Sequence, residues 1–286
     1  MDPLALLPFA LAASGGRIGP LTASQLVSAG TTLLQRSAPL VRALAGRRSG
    51  ILLPNGPSWL LALAASDGRA AVVLDPAESD AHLAAQCHTL AVGAVFTTSD
   101  LASRLAGAVP LVLLDDAPAA ARLVLADREQ FIDLGNHYGL DLVGDTAAEG
   151  ADEPCLRFAH HETAFTHRVL LAAARTAMAT HAYTPVDRTL VMSPLATPSA
   201  VVYGVAAPLL AGGWLHLPEH VTTASCRARI EGDDVTLLVG TAPALDDLAR
   251  DINARPLVQS ALKRVISVAD DSRGVSATVH HLSGCR

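Results

Sequence analysis

Residues 153–174, EPCLRFAHHETAFTHRVLLAAA, form the stretch that decides the fold. Apolar residues at 155–159 predict a strand, and Val169, Leu170 and Ala173, in a run without glycine or proline, predict a helix that opens near Thr166. α/β proteins bind phosphates where a strand feeds a turn at a helix N-terminus, because unpaired backbone N–H groups and the helix dipole point outwards there. This turn contains no glycine, and Glu162 adds a negative charge. The sequence therefore predicts the position of a phosphate site without its chemistry.

Outside this stretch, short apolar strands alternate with helices. Continuous apolar strands separated by helices are typical of a parallel sheet that is covered on both faces. The pattern predicts an α/β protein with a first α/β layer at residues 1–114, a connection at 115–152, a second α/β layer at 153–267 and a tail at 268–286. The strands predicted for the second layer are 155–159, 189–192, 214–217, 235–239 and 264–267.

Three stretches carry a resemblance to a known family. Residues 50–65, GILLPNGPSWLLALAA, are similar to a strand–turn–helix segment of the adenylate-forming family, which comprises acyl- and aryl-CoA synthetases, luciferases and adenylation domains of peptide synthetases. Residues 71–91 resemble a second family segment, and the likeness includes the Asp-Pro pair at residues 75 and 76. Residues 188–213 resemble a third segment, which ends in glycine after a helix, as this chain does at residues 212 and 213. The resemblance implies two stacked, doubly wound sheets with helices on their faces, the αβαβα architecture of the N-terminal domain of an acyl-CoA synthetase.

The family's signature motif is altered in this chain. The family has YTSGTTGxPKGVxxTH, whose core grips the ATP phosphates; here Phe158 would match the Tyr and Thr166–His167 the closing pair, but the SGTTGxPKG core is missing. The PlfHxxG motif is also changed, because the stretch from Pro194 to Ala200 lacks the His. Beyond Ile266 neither the YGxTE element nor the C-terminal lid with its catalytic lysine is recognisable. The resemblance thus implies a truncated, degenerate form of the scaffold and argues against the ligase reaction.

Candidate site residues follow from the motif positions. The resemblance implies an acyl or aryl pocket in the second layer, and the residues that would line it are Tyr203, Gly204, Gly240, Thr241, Ala242 and Pro243. The alternative interpretation of these positions is packing alone. If the turn has been rebuilt into a new site, the candidate catalytic residues are His160, His161 and His167. ATP and magnesium are expected only in that case.

A metal site is not predicted by the sequence. The histidines near residue 160 have neither HExxH nor another standard ligand spacing, and neighbouring side chains on a strand point in opposite directions. His280, His281 and Cys285 lie in the predicted tail, for which a solvated segment is the simpler interpretation. The expected metal content is therefore none, and no cofactor is expected.

Composition excludes several functional classes. The net charge of −6, with Lys263 as the only lysine, offers no electrostatic basis for binding nucleic acid. The four cysteines are scattered without a CxxC spacing, as in a cytoplasmic protein with reduced thiols. The apolar residues 4–13 resemble the core of a signal peptide but follow Asp2 and no basic residue. No apolar run reaches the ~18 residues that a membrane span needs.

Three functional hypotheses remain. The preferred one is a degenerate adenylate-forming homologue, or pseudoenzyme, that binds an acyl or aryl small molecule, a protein partner or a second copy of itself. The alternative is an AMP-forming acid-CoA ligase or acyl-transfer enzyme with a rebuilt site or one completed by a partner. The third is a truncated or frame-shifted gene product.

Overall fold

The computed structural model describes residues 6–42, 48–66, 71–105, 107–125, 128–135, 152–161, 164–269 and 277–281. Two compact units result: the first comprises residues 1–13 and 23–169, and the second comprises residues 14–22 and 170–286. The strands in chain order are β1 (Arg17–Ile18), β2 (Leu21–Thr22), β3 (Arg48–Ile51), β4 (Ala71–Val73), β5 (Val92–Thr97), β6 (Leu111–Leu113), β7 (Ala120–Leu125), β8 (Arg128–Asp133), β9 (Pro154–Phe158), β10 (Phe165–Thr166), β11 (Arg188–Val191), β12 (Trp214–His216), β13 (Leu237–Thr241), β14 (Arg264–Val268) and β15 (Ala277–His281). The helices are α1 (Leu7–Ala13), α2 (Ala23–Arg42), α3 (Pro57–Ala65), α4 (Asp80–Thr89), α5 (Ser99–Ala102), α6 (His167–Thr180), α7 (Pro198–Val201), α8 (Ala207–Leu210), α9 (Thr223–Gly232) and α10 (Ala242–Ala254).

The first unit contains an eight-stranded sheet in the order β10-β9-β4-β3-β5-β6-β7-β8. The strands from β9 to β6 are parallel, whereas β10, β7 and β8 are antiparallel to their neighbours. Helix α4 begins at Ser79, whose hydroxyl accepts from the N–H of His82, and packs Leu83 and Cys87 into the sheet core. The parallel centre of the sheet places the carboxyl ends of β4 and β9 at one edge.

Helices α1, α2 and α3 pack together in the first unit. Leu7 and Leu11 of α1 and nearly every residue of α3 are buried, as expected for a helix that is apolar on all sides. Gly30 allows α2 and α3 to approach closely, since a Cβ at that position would lie 2.4 Å from the carbonyl oxygen of Leu61.

The second unit contains a seven-stranded sheet in the order β15-β14-β13-β11-β12-β1-β2. Its strands from β14 to β1 are parallel, and β15 and β2 close the two ends in antiparallel orientation. Helices α9 and α10 cover the sheet, with Cys226, Ile230 and Leu248 in the core. Thr222 caps α9 in a reciprocal capping box with Ser225.

A buried polar network ties β14 to the start of β11. The Arg264 guanidinium donates to Asp187 Oδ1 at 2.6 Å and to the carbonyl oxygens of His181 and Ala182. The Asp187 carboxylate also accepts from the N–H and hydroxyl of Thr184 at 2.7 and 2.9 Å. The buried charges are thus paired and hydrogen-bonded, which is the condition under which charges persist in an interior.

The α/β class with two multistranded sheets and helices is confirmed, and four predicted assignments require correction. Residues 17–22, predicted within the first layer, form β1 and β2 of the second sheet. The strand at 155–159, predicted to open the second layer, pairs with β4 in the first sheet. The predicted connection contains β7 and β8, which extend the first sheet; its residues 136–150 lie outside the described residues. The predicted tail contains β15, paired with β14, so His280 and His281 belong to a strand; Cys285 lies outside the described residues. Backbone hydrogen bonding with distant strands decides these memberships.

None of the described helices is long and apolar enough to cross a membrane. Of the cysteines, Cys87, Cys155 and Cys226 are buried free thiols, and burial raises the pKa of Cys87 to about 11. Such thiols are protonated and unreactive at neutral pH.

Candidate functional site

The turn after β9 lies at the carboxyl edge of the first sheet. Strand β9 ends at Phe158, beside the end of its parallel neighbour β4, and the N–H of Ala159 donates to the Val73 carbonyl at 3.0 Å. The N–H of His161 turns back to the Phe158 carbonyl at 2.9 Å. Glu162, the acidic residue of the predicted turn, lies outside the described residues.

The side chain of His160 extends from this turn towards a carboxylate. Its side chain is 44% exposed, and its Nε2 lies 3.2 Å from Glu78 Oε1. The other oxygen of Glu78 lies 2.7 Å from Nδ1 of His82. A carboxylate thus lies where a phosphate-binding turn would present backbone N–H groups, and its negative charge repels an anion at this point.

His161 is an interior side chain. It is buried, and its ring meets those of Phe158 and Phe165 edge-on, with centroids 5.8 Å apart in each pair. Edge-to-face contacts of this kind are typical of packed aromatic clusters. The geometry assigns His161 to the core of the first unit.

His167, the first residue of α6, is fully buried. Its Nδ1 accepts a hydrogen bond from the N–H of Leu7 at 3.0 Å and so holds the start of α1. The hydroxyl of Thr166 accepts from the Val169 N–H at 3.2 Å, which satisfies one of the first amides of α6. Arg168, the basic residue of this first turn, is paired with Asp152 at 2.6 Å.

The three candidate histidines therefore face different surroundings: solvent and a carboxylate for His160, an aromatic cluster for His161 and a backbone amide for His167. A general base and a nucleophile require side chains within hydrogen-bond reach of one reacting centre. The structure does not gather these residues around such a centre, and their catalytic roles stay a prediction.

The candidate pocket residues lie at the carboxyl edge of the second sheet. Strands β11 and β13 are parallel neighbours, and the Met192 N–H continues the pairing by donating to the Val239 carbonyl at 2.7 Å. The chain then passes through buried Ser193 into α7, which contains buried Ser199 and which Thr197 caps by accepting from the Ala200 N–H. Open α/β sheets bind ligands in the crevice outside this edge.

Tyr203 and Gly204 lie in a π-helical segment, Val202–Ala206, between α7 and α8. Gly204 allows this segment to pack on β11, since a Cβ there would lie 2.9 Å from Val191 Cγ1. The Tyr203 carbonyl accepts from the Tyr183 hydroxyl at 2.7 Å, and burial raises the pKa of the Tyr203 phenol. π-Helical segments occur frequently at functional sites.

Gly240 and Thr241 end β13, and Ala242 and Pro243 open α10. A Cβ at Gly240 would meet Leu245 at 3.0 Å and the Met192 Cβ at 3.4 Å, so β13 and the segment after β11 are in close contact here. Ala242 and Pro243 are exposed. The structure brings all six predicted pocket residues to two adjoining segments of one sheet edge, and their binding role stays a prediction.

Two features of these sites have no signal in the local sequence. One is the π-helical segment Val202–Ala206, which separates α7 from α8. Asp75, Glu78 and His82 lie far from His160 in the chain, and only the pairing of β4 with β9 brings their elements together.

We expect Gly204→Ala to lower the free energy of unfolding by about 1–3 kcal/mol, because the added methyl group would press the π-helical segment away from Val191. Urea denaturation followed by circular dichroism measures the change. The double variant Gly204→Ala/Val191→Ala should lose less unfolding free energy than the two single variants lose together, because the shortened side chain at position 191 no longer clashes with the added methyl group. Simple additivity of the two changes would contradict this close contact.

Several solved structures of known proteins share this fold. Neither a family model nor a curated protein sequence matches the chain. Among solved structures, the chain is similar to the peptide synthetase FmoA3 with alpha-methyl-L-serine-AMP bound, at 17% identity and a TM-score of 0.72, covering 98% of this chain and 35% of that one. MatB from Rhodopseudomonas palustris matches at 14% identity and a TM-score of 0.64, covering 99% and 63%. A benzoate CoA ligase from Burkholderia xenovorans LB400 matches at 14% identity and a TM-score of 0.70, and the match covers 90% of this chain and 54% of that one.

These structural neighbours are adenylate-forming ligases, and the chain has the fold of their N-terminal region. The predicted resemblance is confirmed at the level of fold. The chain spans about a third of the peptide synthetase and between half and two thirds of the other two proteins.

Proposed function

We propose that this protein is a non-catalytic binding module, a pseudoenzyme on the adenylate-forming scaffold, that keeps an acyl- or aryl-binding edge and has lost the grip on ATP. The turn after β9 carries the proposal. It has no glycine, and its His160 faces the Glu78 carboxylate at 3.2 Å. Adenylation requires neutralisation of the transferring phosphates by cations or backbone donors, and a carboxylate supplies the opposite charge.

The carboxyl edge of the second sheet supports the binding half of the proposal. Tyr203, Gly204 and Gly240 are held by contacts within the second unit, to Tyr183, Val191 and Leu245. These contacts do not involve the turn after β9, so a change in that turn leaves the edge intact. Pockets of this kind are formed by the scaffold and are largely present before the ligand binds.

A protein partner or a second copy of the chain is the other proposed occupant. Strand β8 ends the described part of the first sheet, and its Phe131 is 64% exposed. An exposed edge strand with an apolar side chain is a template for pairing with another chain. Sedimentation of the purified protein as a monomer that retains no partner would contradict this part of the proposal. The cytoplasm remains the predicted compartment, because the cysteines are scattered along the sequence without a CxxC spacing.

Calorimetric titration tests the binding proposal. We expect no binding of ATP with magnesium, and binding of a stable acyl-adenylate mimic at the edge that contains Ala242. The variant Ala242→Trp would fill this edge and should abolish binding of the mimic. Ala254→Trp is the matched control, because Ala254 is also exposed but ends the same helix at its opposite terminus.

Each outcome has a distinct meaning. Binding of the mimic that Ala242→Trp leaves unchanged would place the pocket elsewhere, and failure of the mimic to bind would remove the acyl- or aryl-binding role. Clear ATP binding, with ATP-dependent pyrophosphate exchange that disappears in His160→Ala, would establish the alternative of an AMP-forming acid-CoA ligase or acyl-transfer enzyme. His160 suits this test because its side chain is exposed, whereas His161 and His167 are buried.

A further inference from the structure

We propose that Asp75, Glu78 and His160 form a binding site for a divalent transition metal of the zinc class. One ligand atom from each residue lies within 4.8 Å of the other two. Asp75 and Glu78 follow β4, and His160 follows β9. Since β4 and β9 are parallel neighbours, both segments leave the same edge of the first sheet.

The spacing between the donor atoms of Glu78 and His160 suits a tetrahedral ion. Two ligands about 2.1 Å from a tetrahedral zinc ion lie roughly 3.4 Å apart, and His160 Nε2 lies 3.2 Å from Glu78 Oε1. One imidazole nitrogen and two carboxylates are a donor set that zinc accepts, whereas magnesium prefers oxygen ligands alone. Three protein ligands leave one position for water or for a ligand.

A neighbouring histidine orients the central carboxylate. Gln86 Nε2 lies 3.3 Å from His82 Nε2 on one side of the ring. On the other side, His82 Nδ1 lies 2.7 Å from Glu78 Oε2, and Glu78 Oε1 is directed at His160. Hydrogen bonds to a ligating carboxylate from outside the metal's own ligands are a regular feature of metal sites.

Arg104 holds the backbone of the two acidic ligands in place. Its guanidinium donates to the carbonyl oxygen of Pro76 at 2.6 Å and to that of Glu78, and it pairs with Asp80 at 2.7 Å. The Asp75 carboxylate accepts from the Ala77 N–H at 2.8 Å. The segment is therefore ordered before any ion binds, which lowers the entropic cost of binding.

Titration of the metal-free protein with Co²⁺ tests the site, because tetrahedral Co²⁺ absorbs visible light and substitutes for zinc. We expect one Co²⁺ per chain, displacement by Zn²⁺ and no displacement by Mg²⁺. Each of the variants Asp75→Asn, Glu78→Gln and His160→Ala should weaken the dissociation constant at least tenfold. The first two keep the side-chain shape, and circular dichroism verifies that all three fold.

Two variants with exposed side chains serve as controls. His88→Ala removes an imidazole from the same helix α4, and Glu219→Gln removes a carboxylate elsewhere; both should leave the affinity unchanged. Absence of stoichiometric Co²⁺ binding would overturn the proposal, as would equal affinity in the wild type and the three ligand variants. Loss of binding in His160→Ala alone would also overturn it, because both carboxylates are required. The test uses metal without nucleotide, so its failure is distinguishable from failure of the proposed function, which the titrations with ATP and with the acyl-adenylate mimic test.

Discussion

Replacement of Arg264 by alanine is expected to lower the free energy of unfolding by about 3–5 kcal/mol. The change leaves the buried Asp187 carboxylate without its cation, and it removes the hydrogen bonds that Arg264 donates to the carbonyl oxygens of His181 and Ala182. Chemical denaturation in a Trp59→Phe background measures the effect, since Trp214 then reports on the second unit.

Arg250→Ala is the matched control for Arg264→Ala. Arg250 also pairs with an aspartate, Asp247, but its side chain is 77% exposed. Exposed pairs contribute about 0–1 kcal/mol, because water screens both charges. A cost for Arg264→Ala as small as that of the control would show that the Asp187 pair does not stabilise the second unit.

The same network sets a pH dependence. Burial alone would raise the pKa of Asp187, but hydrogen bonds from Arg264, Thr184 and Thr236 outweigh it and hold this pKa below its ordinary value. Asp187 therefore stabilises the fold above the unfolded-state pKa of about 3.9, and the contribution is lost as the pH falls through the lower folded-state pKa. In Arg264→Ala the pKa of Asp187 should rise, so the loss of stability in this variant should be largest near neutral pH and should shrink as the pH falls below the unfolded-state pKa. A loss of stability that is the same at neutral and at acid pH would contradict this coupling.

Phe158→Ala should cost the first unit about 3–5 kcal/mol of unfolding free energy. Phe158 is fully buried at the end of β9, where its ring contacts those of His161 and Phe165, so truncation leaves a cavity in the core. Denaturation in a Trp214→Phe background follows the first unit through Trp59.

Phe131→Ala controls for the loss of a phenyl ring as such. Phe131 lies on β8 with 64% of its surface exposed, so its truncation should change the stability of the monomeric chain by no more than about 0.5 kcal/mol. Equal costs for the two phenylalanine variants would contradict the packing described for the turn after β9, and with it the interior role assigned to His161.

The core elements of both units could be predicted from the sequence, because their signals are local. A continuous apolar run such as residues 71–74 predicts a buried strand without knowledge of its partner, and the turn at residues 54–57 separates β3 from α3 by composition alone. Strand β8 lacked such a signal, since most of its side chains are exposed and its residues resemble a polar connection.

The two candidate sites differ in the same respect, because one lies in contiguous segments and the other joins segments that are distant in the chain. The candidate pocket residues come from motifs that are contiguous in the chain, and their binding role stays a prediction. The proposed metal site could not be predicted in this way, because Asp75 and Glu78 follow one strand, His160 follows another, and nothing in either segment indicates that β4 and β9 are neighbours.

The sequence by itself determined most of the core strands and helices, the resemblance of the scaffold to the adenylate-forming ligases and the absence of glycine from the turn after β9, because these are properties of contiguous residues. Tertiary structure alone decided that β9 joins the first sheet, that His161 and His167 are interior while His160 meets Glu78, and that Arg264 pairs with Asp187. Sheet membership and side-chain burial depend on backbone hydrogen bonds and packing between distant segments, which the local pattern of polar and apolar residues does not encode.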